Sequence, residues 1–373
     1  MKIAYVYDAV YPWIKGGGER RIYELSKRLA SRGHDVHCYG MKWWKGDDVV
    51  DLEGVKLHGI CLPMSLYSGP RRSYGQALSF ASAVLKSVRG DYDLVDCQEF
   101  PYIPCFPARF LSGWKEWHFF ITWLEVWGAY WCDYAGKAGL IGQMVERSVS
   151  KLAPNNIAIS ERVRGDLEGM GVANIDVVPL GVDFKKIRAV NASEETSDLI
   201  FVGRLIGHKN VDLLIKAAGL IRQTLPDLRV MIIGDGPEAP ALKSLSRELE
   251  LGRNVTFTGF LDDYDEVIAR IKSSRVFVLP STREGFGAVA LEANACGLPL
   301  VTVDHRMNAV CDLLREGTGV ACQVSEGSLA EGILKCLKLS GVTAEGCVQF
   351  AEGYDWDRIS RSLEEVYERR IGK

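Results

Sequence analysis

Residues 199–234 read LIFVGRLIGHKNVDLLIKAAGLIRQTLPDLRVMIIG, and this stretch decides the fold. Leu199-Ile200-Phe201-Val202 is a short apolar run ending at Gly203, as a strand buried on both faces reads. From Val211 to Thr224 the pattern is helical, with Asn210 in the place of an N-cap and Pro226 after the end. Arg229 to Ile233 is the next strand, closed by Gly234-Asp235-Gly236. Strand, helix, strand in this order predicts a crossover and a parallel pair. The alternation then continues. Residues 239–250 read as helix, Val255-Thr256-Phe257 as strand, 263–272 as helix and Val276 to Leu279 as strand. Ala288 to Ala295 is a helix ended by Gly297, and Leu300-Val301-Thr302-Val303 is again a strand. The expected fold is α/β, a doubly wound parallel sheet with ligands at the carboxyl ends of its strands.

The first half carries the same grammar less cleanly. Ile3 to Tyr7 is a strand, Gly16-Gly17-Gly18 a loop, and Ile22, Leu25, Leu29 and Ala30 mark a helix that Gly33 ends before a strand at Val36 to Tyr39. Tyr92 to Val95 and Phe119 to Trp123 are further strands, and Leu140 to Ser150 a helix. Ile157-Ala158-Ile159 and Ile175-Asp176-Val177-Val178-Pro179 close the series. With 373 residues the chain exceeds one ordinary core. The polar stretch Asp183 to Ser197 reads as a linker, giving domains 1–183 and 184–353 and a charged amphipathic helix in 354–373. Two such domains predict a cleft between them.

Composition excludes several classes. The chain is 47% hydrophobic and 25% charged with net charge -3, which fits an ordinary globular protein and gives no basic excess for nucleic acid. No apolar run is long enough to span a bilayer. The start, Met1-Lys2-Ile3-Ala4-Tyr5, does not read as a signal peptide. The ten cysteines form no C-x-x-C pair and no cluster at metal spacing, so they read as reduced thiols in the cytoplasm.

Three loops carry chemistry. Glu284-Gly285-Phe286-Gly287-Ala288 runs from a strand into a helix that holds Glu292. Glycines there expose backbone N–H groups at a helix N-terminus, suited to phosphate or sugar hydroxyls. A capped helix with two solvated glutamates is the plain alternative. Gly203-Arg204-Leu205-Ile206-Gly207-His208-Lys209 sets two cations at a strand's carboxyl end, where a diphosphate would be held by a guanidinium fork and an ammonium point charge. Gly16-Gly17-Gly18-Glu19 is neither a dinucleotide-binding fingerprint nor a Walker A loop, and stands equally as an anion cradle or a turn.

In order and spacing these features resemble the retaining glycosyltransferases of family 4, whose fold is GT-B. The resemblance spans nearly the whole chain: Gly17-Gly18-Glu19, Val202-Gly203-Arg204-Leu205 with Lys209, Gly234-Asp235-Gly236-Pro237-Glu238, Leu279-Pro280-Ser281, the Glu284-to-Glu292 pair, and Tyr354-Asp355-Trp356-Asp357. It implies sugar transfer from a nucleotide-diphosphate donor to a hydroxyl of a glycan or lipid-linked acceptor, with no metal and no other cofactor. Arg204 and Lys209 would hold the diphosphate and Glu284 the donor sugar. Gly203, Phe286, Gly287 and Ala288 would line the donor, and Glu292 would hold the ribose. Gly17 and Gly18 would let the first domain close on the phosphates, and the last helix would return to that domain. One position departs: Leu124 stands where relatives often carry a histidine near the reacting centre. An epimerase or phosphorylase of the same fold, or a catalytically silent nucleotide-sugar-binding partner, are the alternatives.

Five of the nine tryptophans lie between Trp114 and Trp131. Aromatic faces stack on sugar rings, which makes Trp123, Trp127 and the adjacent Glu125 candidates for the acceptor. A core of large side chains is the competing reading. Trp43-Trp44, between Lys42 and Lys45, can be read as a peripheral contact with the inner face of a membrane, or as a plain structural or oligomer contact.

Overall fold

The computed structural model describes residues 1–68, 71–338 and 341–372, and its chain divides into two units. Unit 1 holds Met1–Leu180 and the terminal segment from Trp356. Its elements are β1 (Lys2–Val6), α1 (Gly17–Ser31), β2 (Asp35–Met41), β3 (Val49–Leu52), β4 (Val55–Cys61), β5 (Tyr67–Ser68) and β6 (Arg71–Arg72). Then come α2 (Tyr74–Ser87), β7 (Leu94–Gln98), α3 (Cys105–Lys115), β8 (His118–Trp123), α4 (Tyr130–Ala135), α5 (Gly139–Val149), β9 (Asn155–Ala158), α6 (Glu161–Gly169) and β10 (Ile175–Val177).

Eight of these strands form one sheet in the order β10-β9-β8-β7-β1-β2-β4-β3, parallel except for β3 against β4. The order reverses beside β1. From there β2 lies one way and β7 to β10 the other, so right-handed crossovers set α1 on one face and α2, α3 and α5 on the opposite face. The centre of the sheet is dry. Ile3, Ala4, Tyr5 and Val6 of β1 are all buried, as are Phe119, Phe120 and Ile121 of β8.

Unit 2 is Gly181–Asp355. It contains α7 (Phe184–Ala189), β11 (Ser197–Val202), α8 (Val211–Arg222), β12 (Val230–Ile233), α9 (Ala239–Glu248), β13 (Val255–Gly259) and α10 (Tyr264–Lys272). It continues with β14 (Ser274–Leu279), β15 (Arg283–Glu284), α11 (Ala288–Ala295), β16 (Leu300–Val303), β17 (Met307–Asn308), β18 (Gly319–Cys322), α12 (Glu326–Leu337) and α13 (Gly341–Glu352). Six strands form a wholly parallel sheet, β13-β12-β11-β14-β16-β18. Here β11 is the switch point, flanked by β12 and β14.

One expectation is corrected and one qualified. The polar stretch from Asp183 is not a linker: Asp183 caps α7 through Lys186 N, and Ser193 N donates to Ala269 O, so the segment is packed into unit 2. The chain changes unit at residues 180–181 instead. Asn210 stands at the N-cap position of α8, as expected, but makes no side-chain cap hydrogen bond. Its backbone is left-handed (φ 49°), and its side chain donates to Pro280 O at 2.9 Å rather than capping α8.

The terminal helix α14 (Trp356–Ile371) belongs to unit 1 and packs on α1. Arg28 meets Asp357 at 2.5 Å, and Arg32 meets Glu364 at 2.7 Å. Deeper in, Tyr367 Oη donates to Asp96 Oδ2 at 2.6 Å, and Thr122 Oγ1 donates to the same carboxylate. All three side chains are fully buried. Burial raises the Asp96 pKa, while Tyr367, Arg21 and Thr122 oppose the rise. A buried carboxyl is tolerable only when so partnered. Tyr367→Phe removes one of these donors, and urea denaturation should show a loss of about 1–3 kcal/mol; an unchanged midpoint would mean that α14 is held by its surface pairs alone.

Candidate functional site

Unit 2 gathers its loops at the carboxyl ends of β11, β12 and β14. The segment after β11 is stitched to the segment after β14: Thr282 N donates to His208 O at 2.9 Å, and Asn210 Nδ2 reaches Pro280 O. On the other side Leu205 N donates to Asp235 O and Glu238 N to Leu205 O. The left-handed Asn210 thus serves the tertiary link rather than the helix. These ties fix the backbone that carries Gly203, Arg204 and Lys209.

Lys209 Nζ bonds Glu284 Oε1 at 2.5 Å, with both side chains mostly buried. Glu284 lies in β15, which pairs with β17 through Glu284 and Asn308. Asn308 is itself buried and anchored to Thr302 Oγ1 and Val303 O. The expected pair, Lys209 and Glu284, is therefore brought together by two separate supports. Arg204 is exposed beside them.

His208 is half-buried among the charges of this loop. Burial pushes its pKa down to about 4, and Arg283, Lys209 and Arg204 push the same way against Glu284. Three cations therefore surround one imidazole, which stays neutral at pH 7. Arg283 was not among the sequence candidates. It sits next to the Glu284 motif, and its nearness to the Arg204–Lys209 loop exists only in the fold.

Gly287 precedes α11 with φ 86°, and a Cβ there would lie 2.3 Å from Val310 Cγ2. Both the backbone angle and the space require glycine. Ala288 starts the helix, so its first N–H groups form an anion-favouring end. Phe286 is buried, with its ring centroid 6.0 Å from that of Tyr354. Glu292 is buried one turn into α11, where its Oε1 accepts from Tyr264 Oη at 2.8 Å. Tyr264 is a second residue the sequence reading passed over.

Unit 1 carries its own polar cluster at the ends of β1, β7 and β8. Asp8 is fully buried, and its Oδ2 accepts from Arg72 at 2.5 Å and Gln76 Nε2 at 2.7 Å. Glu19 is buried near Tyr7, and burial raises its pKa. Gly17 opens α1, and a Cβ on Gly18 would lie 2.9 Å from Leu124 Cδ1 and 3.3 Å from Tyr7 Oη. A side chain at 18 would therefore have to displace the end of Leu124. Glu99, at the end of β7, lies under the Leu124–Glu125 backbone: Glu125 N donates to Glu99 Oε1 at 3.2 Å. Burial pushes the Glu99 pKa up to about 8, so this carboxyl is largely protonated at neutral pH. Its Oε2 has no hydrogen-bond partner among the described residues.

The aromatic candidates separate. Trp123 is a core side chain, fully buried and tied by Nε1 to Asn156 Oδ1 at 2.9 Å; it cannot stack on an acceptor, and that assignment is corrected. Trp127 is half-buried among Phe100, Tyr130, Trp131 and Tyr134, and its Nε1 donates to Glu125 Oε2 at 3.0 Å. Glu125 and Trp127 therefore form one unit. The membrane reading of Trp43-Trp44 is also corrected. Trp44 is buried, both indoles donate to backbone carbonyls (Asp8 O and Asp47 O), and Lys42 pairs with Asp48. Among the described residues no three His, Cys, Asp or Glu side chains are grouped as metal ligands, and no helix is long and apolar enough to cross a membrane.

Two family models match the chain: Glycosyltransferase Family 4 over residues 15–186 and Glycosyl transferases group 1 over residues 183–353. A GDP-mannose-dependent alpha-(1-6)-phosphatidylinositol dimannoside mannosyltransferase from Mycobacterium tuberculosis is 28% identical over 54% of this chain and 54% of its own length. The match thus spans about half the length of that relative. D-inositol 3-phosphate glycosyltransferase 2 from Catenulispora acidiphila is 28% identical over 95% of this chain and 90% of its own. Among solved structures, a sucrose-phosphate synthase from Thermosynechococcus elongatus aligns with TM-score 0.81, 20% identity and 100% and 99% coverage. Anabaena HepE in complex with UDP-glucose aligns with TM-score 0.74 and 17% identity over 98% of each chain. The fold is accordingly GT-B.

Two measurements check this electrostatic picture. The His208 imidazole should titrate near pH 4 by NMR, and a nucleoside diphosphate bound beside it should raise that value; a titration near 6.5 would remove the cation cluster. Since the unfolded state binds this proton first, His208 lowers stability as pH falls from 6.5 toward 4. The sign for Glu99 is opposite in origin. Its folded pKa is raised, so the folded state holds the proton longer, and stability falls as pH rises from 4.5 through 8. Glu99→Gln should flatten that slope in denaturation curves, and an unchanged slope would mean that Glu99 is ionised at neutral pH.

Proposed function

The chain belongs to glycosyltransferase family 4, and from that membership we propose that it moves a sugar from a nucleotide-diphosphate donor to a hydroxyl acceptor with retention of anomeric configuration. The observation that carries the reading is the loop cluster of unit 2: Arg204, Lys209 and Arg283 around His208, beside the N-terminus of α11. Breaking the anomeric C–O bond leaves the electron pair and negative charge on the diphosphate. Fixed cations and helix N–H groups stabilise that developing charge without reorganising. They supply the role a divalent cation would otherwise fill, so the proposed reaction proceeds without metal.

Glu284 is held by Lys209, and this pairing sets the carboxylate near the cations. In the proposed complex it contacts the donor sugar, while Gly203, Phe286, Gly287 and Ala288 line the donor. Glu292, oriented by Tyr264, accepts from the ribose hydroxyls. On the acceptor side the candidates are Glu125 with Trp127, and Glu99 beneath Leu124. A largely protonated Glu99 offers an O–H where a carboxylate would offer only acceptors. The acceptor is a glycan or a lipid-linked hydroxyl. HepE was solved with UDP-glucose and the mycobacterial relative is named for GDP-mannose, so UDP and GDP donors are the first to try. The described cysteines form no disulfide, even where the Cys97 and Cys105 sulfurs lie only 3.7 Å apart, which supports a reducing compartment such as the cytoplasm.

A catalytically silent nucleotide-sugar-binding partner is the second reading, and Leu124 is what favours it. Leucine can neither donate a hydrogen bond nor carry charge at that position. Release of nucleoside diphosphate from UDP- and GDP-sugars, with product stereochemistry read by NMR, tests both. Arg204→Ala and Lys209→Ala should each lower kcat by about 10²–10³-fold, and EDTA should change nothing. Wild-type inactivity together with turnover gained by Leu124→His would favour the silent reading; turnover insensitive to both alanine variants would refute the donor assignment.

A further inference from the structure

The far end of the unit 2 sheet carries a charged groove that the donor loops do not reach. At the amino ends of β11 to β14 an open cavity of about 1250 Å³ is lined by Arg222, Arg229, Arg247, Arg253 and Arg275. Among the described residues three carboxylates, Asp198, Asp227 and Glu250, share this lining. The groove therefore holds an excess of positive charge in a chain of net charge -3. It lies at the opposite end of the same strands from the Arg204–Lys209 loop, and the six residues of β11 span about 20 Å.

Three of the five guanidiniums are occupied by the fold. Arg222 ends α8, and its Nη1 donates to Glu250 O at 2.6 Å. Arg247 stands in the last turn of α9, where its Nε donates to Lys243 O at 3.3 Å. Cations at helix carboxyl ends answer the carbonyl dipoles there. Arg275 donates to Asp198 Oδ1 at 3.0 Å and to Leu337 O at 2.9 Å. Asp198 is spent in turn, since its other oxygen accepts from Arg229 N at 2.9 Å.

Arg229 and Arg253 are different. Both are exposed, and neither guanidinium makes a hydrogen bond or ion pair among the described residues. Arg229 directly precedes β12, and Arg253 stands two residues before β13. These strands pair through Val230 and Val255, so the two arginines start from neighbouring strand ends about 5 Å apart. Two like charges set side by side repel, and an anion between them turns that cost into attraction.

The chemistry of the lining selects the anion. A guanidinium presents paired N–H donors that match phosphate or carboxylate oxygens. A planar carboxylate takes one such fork. A tetrahedral phosphate takes donors from several directions, as β12, β13 and α9 supply them through Arg229, Arg253 and Arg247. The groove has room for more than one phosphate group, and Leu225 and Pro226 add an apolar wall for a carbon skeleton. A long, uniformly charged polymer fits less well, because it would also run past Asp227 and Glu250.

We propose that this groove is a second anion site of unit 2, for a small compound carrying two or more phosphate groups, held by Arg229 and Arg253 with Arg247 beside them. It is separate from the donor site and does not depend on the transferase reading. Titration calorimetry with inorganic pyrophosphate, a hexose bisphosphate and citrate tests it, on the wild type and on Arg204→Ala/Lys209→Ala, which lacks the donor cations. At least one of the two phosphate compounds should bind the donor-site variant one-to-one, more weakly as salt rises. Adding Arg229→Ala/Arg253→Ala should weaken that binding by about tenfold or more. In the otherwise wild-type chain the same pair of substitutions should leave thermal melting and nucleoside diphosphate binding unchanged. Tighter binding of the bisphosphate points to a phosphorylated metabolite, and tighter binding of pyrophosphate to an inorganic polyphosphate. A donor-site variant that binds neither phosphate compound overturns the proposal. So does binding that Arg229→Ala/Arg253→Ala leaves unchanged, or citrate bound as tightly as either phosphate.

Discussion

The Lys209–Glu284 contact is the constraint on which the proposed chemistry depends. Alone, a lysine and an arginine in a seven-residue loop would be two mobile surface charges, and exposed pairs of this kind contribute little. Here the lysine is mostly buried against a carboxylate, and that carboxylate is registered by a short strand pair to the buried Asn308. The backbone link from Thr282 N to His208 O closes the same circuit. Positive charge is thereby placed and held before any anion arrives, which lets it act on a transition state rather than reorganise toward one. The low His208 pKa follows first from burial and then from the Arg283, Lys209 and Arg204 charges beside it.

Unit 1 follows a different logic. Its buried charged groups are mostly acids, and of these Asp8, Glu19, Asp96 and Glu99 have pKa values raised by burial. Asp8 and Asp96 are answered by Arg72 and by Tyr367 with Thr122, contacts that bind distant segments together. Glu99 is answered on one oxygen only, under the Leu124–Glu125 backbone. Incompletely partnered carboxyls at strand ends are where a polar ligand has most to offer. Leu124 adds an apolar wall beside them, so the local dielectric is low where a histidine would have been charged or hydrogen-bonded.

The parallel sheet of unit 2 was legible because its strands are continuous apolar runs of four to six residues separated by glycine-marked turns and periodic helices. Arg204, Lys209, Glu284 and Glu292 were legible for the same reason, since each follows or opens a recognisable element. Residues that act through space were not. Arg283, Tyr264 and Glu99 gain their meaning from partners on other elements, and no local pattern carries that information. Asn210 has the spacing of a cap, which says nothing of a left-handed backbone or of a side chain that bonds Pro280 instead. Trp123 misled because aromatic side chains suit cores and sugar sites alike. In unit 1 the helices α2 and α3 went unnoticed because their exposed faces are apolar, which blurs the amphipathic period.

The central claim is that unit 2 holds a nucleoside diphosphate on preset cations. Titration calorimetry of UDP and GDP against the wild type and Arg204→Ala/Lys209→Ala, with and without EDTA, tests it most directly. The account predicts one-to-one binding of one nucleotide, unaffected by EDTA and weakened by about a hundredfold or more in the double variant, as the loss of two charge-assisted contacts requires. Equal affinity in the two proteins, or binding abolished by EDTA, would contradict it.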